Sequence, residues 1–176
     1  MKYIVLLKGI NVGGHKKVPM AEFRTLLSSL GFSNVQTYIQ SGNVILQSEE
    51  ENKAILETAI QKAIFTHFGF EVSVLVHRPK DLQRIFNASP FSEEEKKASY
   101  FMMLHQVPSQ ELIVIASEKK YEDETYKIID DCLYYYSAKG FGKSKFNVNF
   151  FERKLKTFAT ARNYNTMVKL LSLSTD

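Results

Sequence analysis

Cysteine occurs once in this 176-residue chain, at Cys132, so no intramolecular disulfide can brace the fold. No apolar run approaches the roughly 20 residues that a membrane-spanning helix needs. The N-terminal run from Tyr3 to Leu7 is too short for a secretory leader, and Lys8 closes it. His15, His67, His77 and His105 stand far apart, without the spacing of metal ligands. No G-x-S-x-G nucleophile elbow is present. These absences lead to the expectation of a cytoplasmic protein with no membrane segment, no metal and no cofactor.

What is present is ordinary in amount and uneven in arrangement. At 44% hydrophobic and 24% charged the composition is that of a globular chain, long enough for one domain or two small ones. The formal net charge is +4. Residues 1–24 contribute five basic side chains against Glu22, residues 25–138 ten basic against sixteen acidic, and residues 139–169 eight basic against Glu152. Basic ends around an acidic middle suggest a phosphate-bearing partner; the alternative is a solvated basic helix near the C-terminus.

The order of elements comes from periodicity. Tyr3 to Leu7 predicts a strand, and Met20, Phe23, Leu26, Leu27 and Leu30 predict a helix that Gly31 stops. Pro19 suits the first helical position. Val35 to Ile39 and Val44 to Leu46 predict a hairpin about Ser41-Gly42-Asn43. Glu49 to Glu51 are expected to open a second helix, with Ile55, Leu56, Ala59, Ile60, Ala63, Ile64 and Phe68 as its buried stripe and Gly69 as its stop. Phe70 to Val76 alternates as a fourth strand. Strand, helix, strand, strand, helix, strand is the ferredoxin-like order.

After a short helix over 79–87, residues 88–97 read as a surface connection. A second series then begins: a strand over 99–105, a helix over 108–117 capped by Ser109, a hairpin of 124–129 and 132–137 about Asp130-Asp131, and helices over 146–155 and 163–173. A helix stands where a last strand is expected. The fold class is therefore α+β: two ferredoxin-like βαββαβ-type lobes in tandem, 1–88 and 89–176, the second ending in an extra C-terminal helix, packed as one compact unit.

Three stretches carry the candidate chemistry. The first, Lys8 to Pro19, is a Gly-rich, lysine-flanked turn between a strand and a helix, which is a generic anion cradle. Its glycines do not fit G-x-G-x-x-G, so a dinucleotide fold is excluded. The second, Lys139 to Phe146, ends in Gly-Lys-Ser but has Ser137 where a P-loop needs glycine. It matches an RNA-binding signature only in part, and reads as a loop rather than a strand. The third, Thr160 to Thr166, offers Thr160 or Asn163 as a helix cap and Arg162 as a fork for phosphate or carboxylate. Cys132 reads as a packed residue, and Ser41 as a turn residue for which no base is identifiable.

Taken together, L-L-K-G-I-N-V-G-G-x-x-K-V-P-M, Y-I-Q-S-G-N-V, G-x-G-K-S-K and T-A-R-N-x-N-T resemble a bacterial family catalogued as the domain of unknown function numbered sixteen ninety-seven. The resemblance implies a small α/β protein of two ferredoxin-like lobes and brings no established activity. It marks Gly9, Asn11, Gly13, Gly14, Ser41, Asn43, Lys143, Ser144, Arg162 and Asn163 as candidate ligand-binding positions, with no catalytic role for any. Tyr164 stands where the pattern usually has tryptophan.

Adding Lys16 and Lys145 for their charge, the leading expectation is a protein that binds a phosphorylated small molecule or nucleic acid. A transferase or hydrolase acting on a phosphorylated substrate is the rival, with His15 as the one base to hand beside Ser41 or Ser144. A structural or protein-interaction module with no ligand is the third reading.

Overall fold

The computed structural model describes residues 1–140 and 144–175. It is an α+β chain with two four-stranded antiparallel sheets and, among the described residues, seven helices. The chain divides into two units, Met1–Gln83 with Lys169–Asp176, and Arg84–Val168.

The first unit begins with β1 (Lys2–Leu7), α1 (Met20–Ser29), β2 (Ser33–Tyr38), β3 (Asn43–Gln47), α2 (Lys53–Phe68) and β4 (Val74–His77). The sheet order is β2-β3-β1-β4, all pairs antiparallel. The register sets Val5 opposite both Val44 and Val76, and Tyr3 opposite Leu46. Side chains alternate along a strand, so these residues share one face. There they form a core with Phe23 and Leu27 of α1 and Leu56, Ile60 and Ile64 of α2. Each such side chain removed from water contributes roughly 1.5–3 kcal/mol. Ile4, Leu6, Ile45 and Leu75, on the other face, are also buried.

Helix boundaries here follow local hydrogen bonds more than charge. The acidic run Glu49 to Glu51 lies ahead of α2 and does not open it; Asn52 does, its Oδ1 accepting from the Ala54 N–H at 3.0 Å. Gly69 ends the helix in the left-handed conformation, as expected. Pro19 sits one place outside α1, with an extended ψ of 124°. Ile55, assigned to the buried stripe of α2, is 52% exposed.

After α3 (Pro79–Asn87), in which the unit boundary falls, come α4 (Glu93–Lys97), β5 (Tyr100–Leu104), α5 (Gln110–Ser117), β6 (Glu124–Ile129), β7 (Cys132–Ser137), α6 (Val148–Leu155), β8 (Ala159–Asn163) and α7 (Tyr164–Ser174). The second sheet has the order β6-β7-β5-β8. Its core joins Met102, Leu104, Leu133 and Tyr135 to Phe146, Phe151 and Leu155, and several rings stack there, Phe146 on Phe151 at 4.7 Å among them.

The charged stretch read as a plain connection holds α4, which Ser92 and Glu95 close with a reciprocal capping box. The last strand, missing from the sequence reading, is β8. Its Thr160 and Arg162 are buried where strand alternation would call for apolar groups. The Asp130-Asp131 hairpin and the Ser109 cap match expectation.

Candidate functional site

The first motif is not a cradle on a helix end. Gly13 and Gly14 have φ of 58° and 78°, and form the tip of a tight two-residue hairpin closed by Val12 and His15. Two consecutive positive φ values match the twist of such hairpins, which is why glycine stands at both positions. Asn11 closes the base. Its amide donates to the Val18 carbonyl at 3.0 Å and the Gln40 carbonyl at 2.7 Å, and accepts from the Val18 N–H at 2.8 Å. That one side chain ties the loop to the β2–β3 turn, so the first two sequence motifs of this unit meet.

In that turn Asn43 is fully buried, donating to the Tyr38 carbonyl at 3.1 Å and to Ser41 Oγ at 2.9 Å. The Leu7 N–H donates to the Gly42 carbonyl at 2.8 Å. A Cβ on Gly42 would lie 2.6 Å from the Leu7 Cβ. His15 is exposed, and its ring makes no hydrogen bond among the described residues. No hydrogen bond joins its ring to Ser41, the serine of the same unit.

Where the loop leaves β1, the Lys8 N–H donates to the Ser73 carbonyl at 3.0 Å and fixes the wall of a cavity of about 670 Å³. Lys8, Gly9 and Lys16 line it from the loop. Thr58, Gln61, Lys62 and Phe65 line it from α2, and Glu71, Val72 and Ser73 from the run into β4. Lys16 Nζ donates to the Glu71 carbonyl at 2.7 Å, which holds the ammonium at the rim with two hydrogens over. Three lysines thus face one carboxylate. Gly9 and Lys16 were visible in the sequence; Lys8, Lys62 and their α2 neighbours were not singled out. Their signal is the spacing i, i+3, i+4, i+7 on a helix, which otherwise reads as a solvated face.

The other sequence-predicted residues lie in the second unit. Lys143 falls outside the described residues. Ser144 Oγ accepts from the Tyr135 hydroxyl at 2.6 Å and the Phe146 N–H at 2.9 Å. The Lys145 N–H donates to Glu124 Oε1 at 2.8 Å. These bonds fasten the loop to the β6–β7 hairpin, and α6 begins only at Val148 with Asn147 as its cap. A cavity of about 540 Å³ beside it has four lysines (Lys119, Lys120, Lys139, Lys145) against Glu122, Asp123 and Glu124, and Lys139 pairs with Asp123. Its charge is nearly balanced.

Arg162 is buried in β8, opposite Phe101, and donates to Thr160 Oγ1 at 2.9 Å and the Ala161 carbonyl at 2.8 Å. Burial lowers its pKa to about 10, which still leaves it charged at neutral pH. Asn163 caps α7, its Oδ1 accepting from the Thr166 N–H at 2.9 Å. Burial also raises the hydroxyl pKa values of Tyr121, Tyr126, Tyr134 and Tyr135, and pushes the Cys132 thiol well up, which leaves Cys132 an unreactive packing residue. Among the described residues no group of three or more His, Cys, Asp or Glu could hold a metal ion, and no helix is long and apolar enough to cross a membrane.

The chain is similar to a solved structure described as that of the conserved bacterial protein SP0830 from Streptococcus pneumoniae, at 26% identity and a TM-score of 0.77. The likeness covers 99% of this chain and 98% of that one. No curated protein matches its sequence. The family model for the protein of unknown function DUF1697 matches residues 1–134, and with it the chain belongs to that family.

Proposed function

We propose that this protein binds a phosphate-bearing ligand in the cavity beside the first loop. The observation that carries the reading is the convergence of Lys8 and Lys16 from the loop and Lys62 from α2 on one concave surface with Glu71 as its one carboxylate. Such a surface raises the local concentration of anions and stabilises them once bound. The volume is in the range of small-molecule sites. Gly9 adds backbone without side-chain bulk, while Asn11, Gly13, Gly14, Ser41, Gly42 and Asn43 hold the loop in shape. In the second unit, Ser144, Lys145 and Lys139 are a weaker candidate, because Asp123 and Glu124 offset their charge.

The sheet order β2-β3-β1-β4, repeated as β6-β7-β5-β8, supports two ferredoxin-like units in tandem as the scaffold. A single buried, unreactive cysteine supports a cytoplasmic setting.

Calorimetric titration with pyrophosphate at low salt tests the binding. The wild-type protein is expected to bind, and Lys16→Glu to weaken binding about tenfold or more, as expected for loss of a charge-assisted contact. Absence of binding by the wild-type protein would remove this reading. Single-stranded RNA that binds more tightly than pyrophosphate, with a steep salt dependence, would move the ligand to nucleic acid.

A further inference from the structure

Resting on the anionic cavity just proposed, we infer that its ligand is a nucleotide, whose base stacks on Phe65. Phe65 is 54% exposed, and it lines the same cavity as the three lysines. Its neighbours on the chain are paired: Phe68 meets His67 edge-on at 4.7 Å and stacks on Phe70 at 6.2 Å. Phe65 has no ring contact among the described residues. An unpaired aromatic ring costs nothing unusual when it stands alone on a surface. Set at the mouth of a lysine-lined cavity, it supplies the apolar platform that a phosphate alone does not use and a base does.

Spacing supports the same ligand. Lys62 and Phe65 are three residues apart on α2, about 4.5 Å along its axis and on one face. A phosphate held by Lys62 and Lys16 therefore leaves its sugar and base directed along the helix toward Phe65. Thr58 and Gln61 line the cavity on the other side of Lys62 from Phe65, and the Thr58 hydroxyl donates to the Ala54 carbonyl at 2.8 Å, so polar groups stand at the phosphate end and the ring at the base end. A mononucleotide fits better than a nucleic acid, because the strip has one aromatic ring. A strand-binding groove repeats such rings for successive bases.

The chain contains no tryptophan, so Phe65→Trp introduces a single tryptophan at the cavity mouth, whose emission can be excited apart from that of the tyrosines. The probes are ADP, GDP, CDP and UDP, with pyrophosphate as the ligand lacking a base. At least one nucleoside diphosphate is expected to bind the wild-type protein tenfold to a hundredfold more tightly than pyrophosphate, as stacking on one ring gives roughly that factor. It should quench the Phe65→Trp fluorescence, which pyrophosphate should not. Phe65→Ala should bring its affinity down to that of pyrophosphate without changing the unfolding temperature. Equal affinity for pyrophosphate and all four nucleotides, with no effect of Phe65→Ala, overturns the nucleotide while the anionic cavity stands. Failure of all five probes to bind overturns both.

Discussion

The carboxylate of Glu57 accepts a hydrogen bond from the backbone N–H of Val76 at 2.9 Å. Val76 lies on β4, an edge strand, and Glu57 is the fifth residue of α2. The second unit repeats the arrangement: Glu152, the fifth residue of α6, accepts from the Ala159 N–H at 2.7 Å at the start of edge strand β8. An edge strand leaves N–H groups unpaired, and a buried one without an acceptor is costly. Glu57→Ala should therefore lower stability by about 1–3 kcal/mol. Glu57→Gln, which keeps an acceptor, should lose clearly less. Urea unfolding of the two variants checks this, and equal losses would show that packing, not the bond, accounts for the effect.

Gly42 tests close approach. It has φ of 77°, and a Cβ there would meet Leu7 Cβ at 2.6 Å and Ile10 Cδ1 at 2.9 Å. Strain from the left-handed backbone and overpacking act together, so Gly42→Ala should cost about 2–4 kcal/mol. Gly14 has a similar φ of 78° with nothing within 4 Å, and Gly14→Ala should cost about 1–2 kcal/mol. Thermal unfolding that ranks them the other way would contradict the packing of the turn on β1.

Asn11 holds the first loop by three hydrogen bonds to main chain. Asn11→Ala is expected to lose about 2–3 kcal/mol. Asn11→Asp keeps the acceptor for the Val18 N–H but turns a carboxylate toward two carbonyls, and should not restore stability. Hydrogen exchange at Val18 distinguishes the variants: protection lost in Asn11→Ala and kept in Asn11→Asp would identify the Oδ1 bond.

Alkaline pH should unfold the second unit through its tyrosines. Burial raises the hydroxyl pKa values of Tyr121, Tyr126, Tyr134 and Tyr135 above the ordinary value of 10.0. The native state then holds protons that the unfolded chain releases. Stability from these groups is complete below about pH 10 and falls as pH rises through the higher native values. Tyrosinate absorbance and circular dichroism, followed together, should show their ionisation coinciding with loss of structure. Ionisation of all nine tyrosines in a still-folded protein would contradict it.

Much of this was legible beforehand. A continuous apolar run gave β1, turn chemistry gave the Asp130-Asp131 hairpin, Ser109 read correctly as a cap, and Asn163 was one of the two caps offered for α7. β8 was hidden because Thr160 and Arg162, which bond to each other, put polar side chains at buried positions, so the segment reads as a polar loop. The cavity was only half visible. Gly9 and Lys16 follow from a loop motif, but Lys62 and Phe65 gain meaning from being set beside that loop, a relation between residues far apart in sequence. Charge misled at Glu49 to Glu51, where one hydrogen bond from the Ala54 N–H to the Asn52 side chain marks the helix start.

The first unit is discontinuous in sequence: Lys169–Asp176 belong to it, although residues 84–168 intervene. During synthesis its sheet and two helices leave the ribosome first, and its last segment follows roughly 85 residues later. At about 5–20 residues per second that is a delay of about 4–17 s. The nascent chain therefore carries the first unit without its last segment for as long as the second is being made.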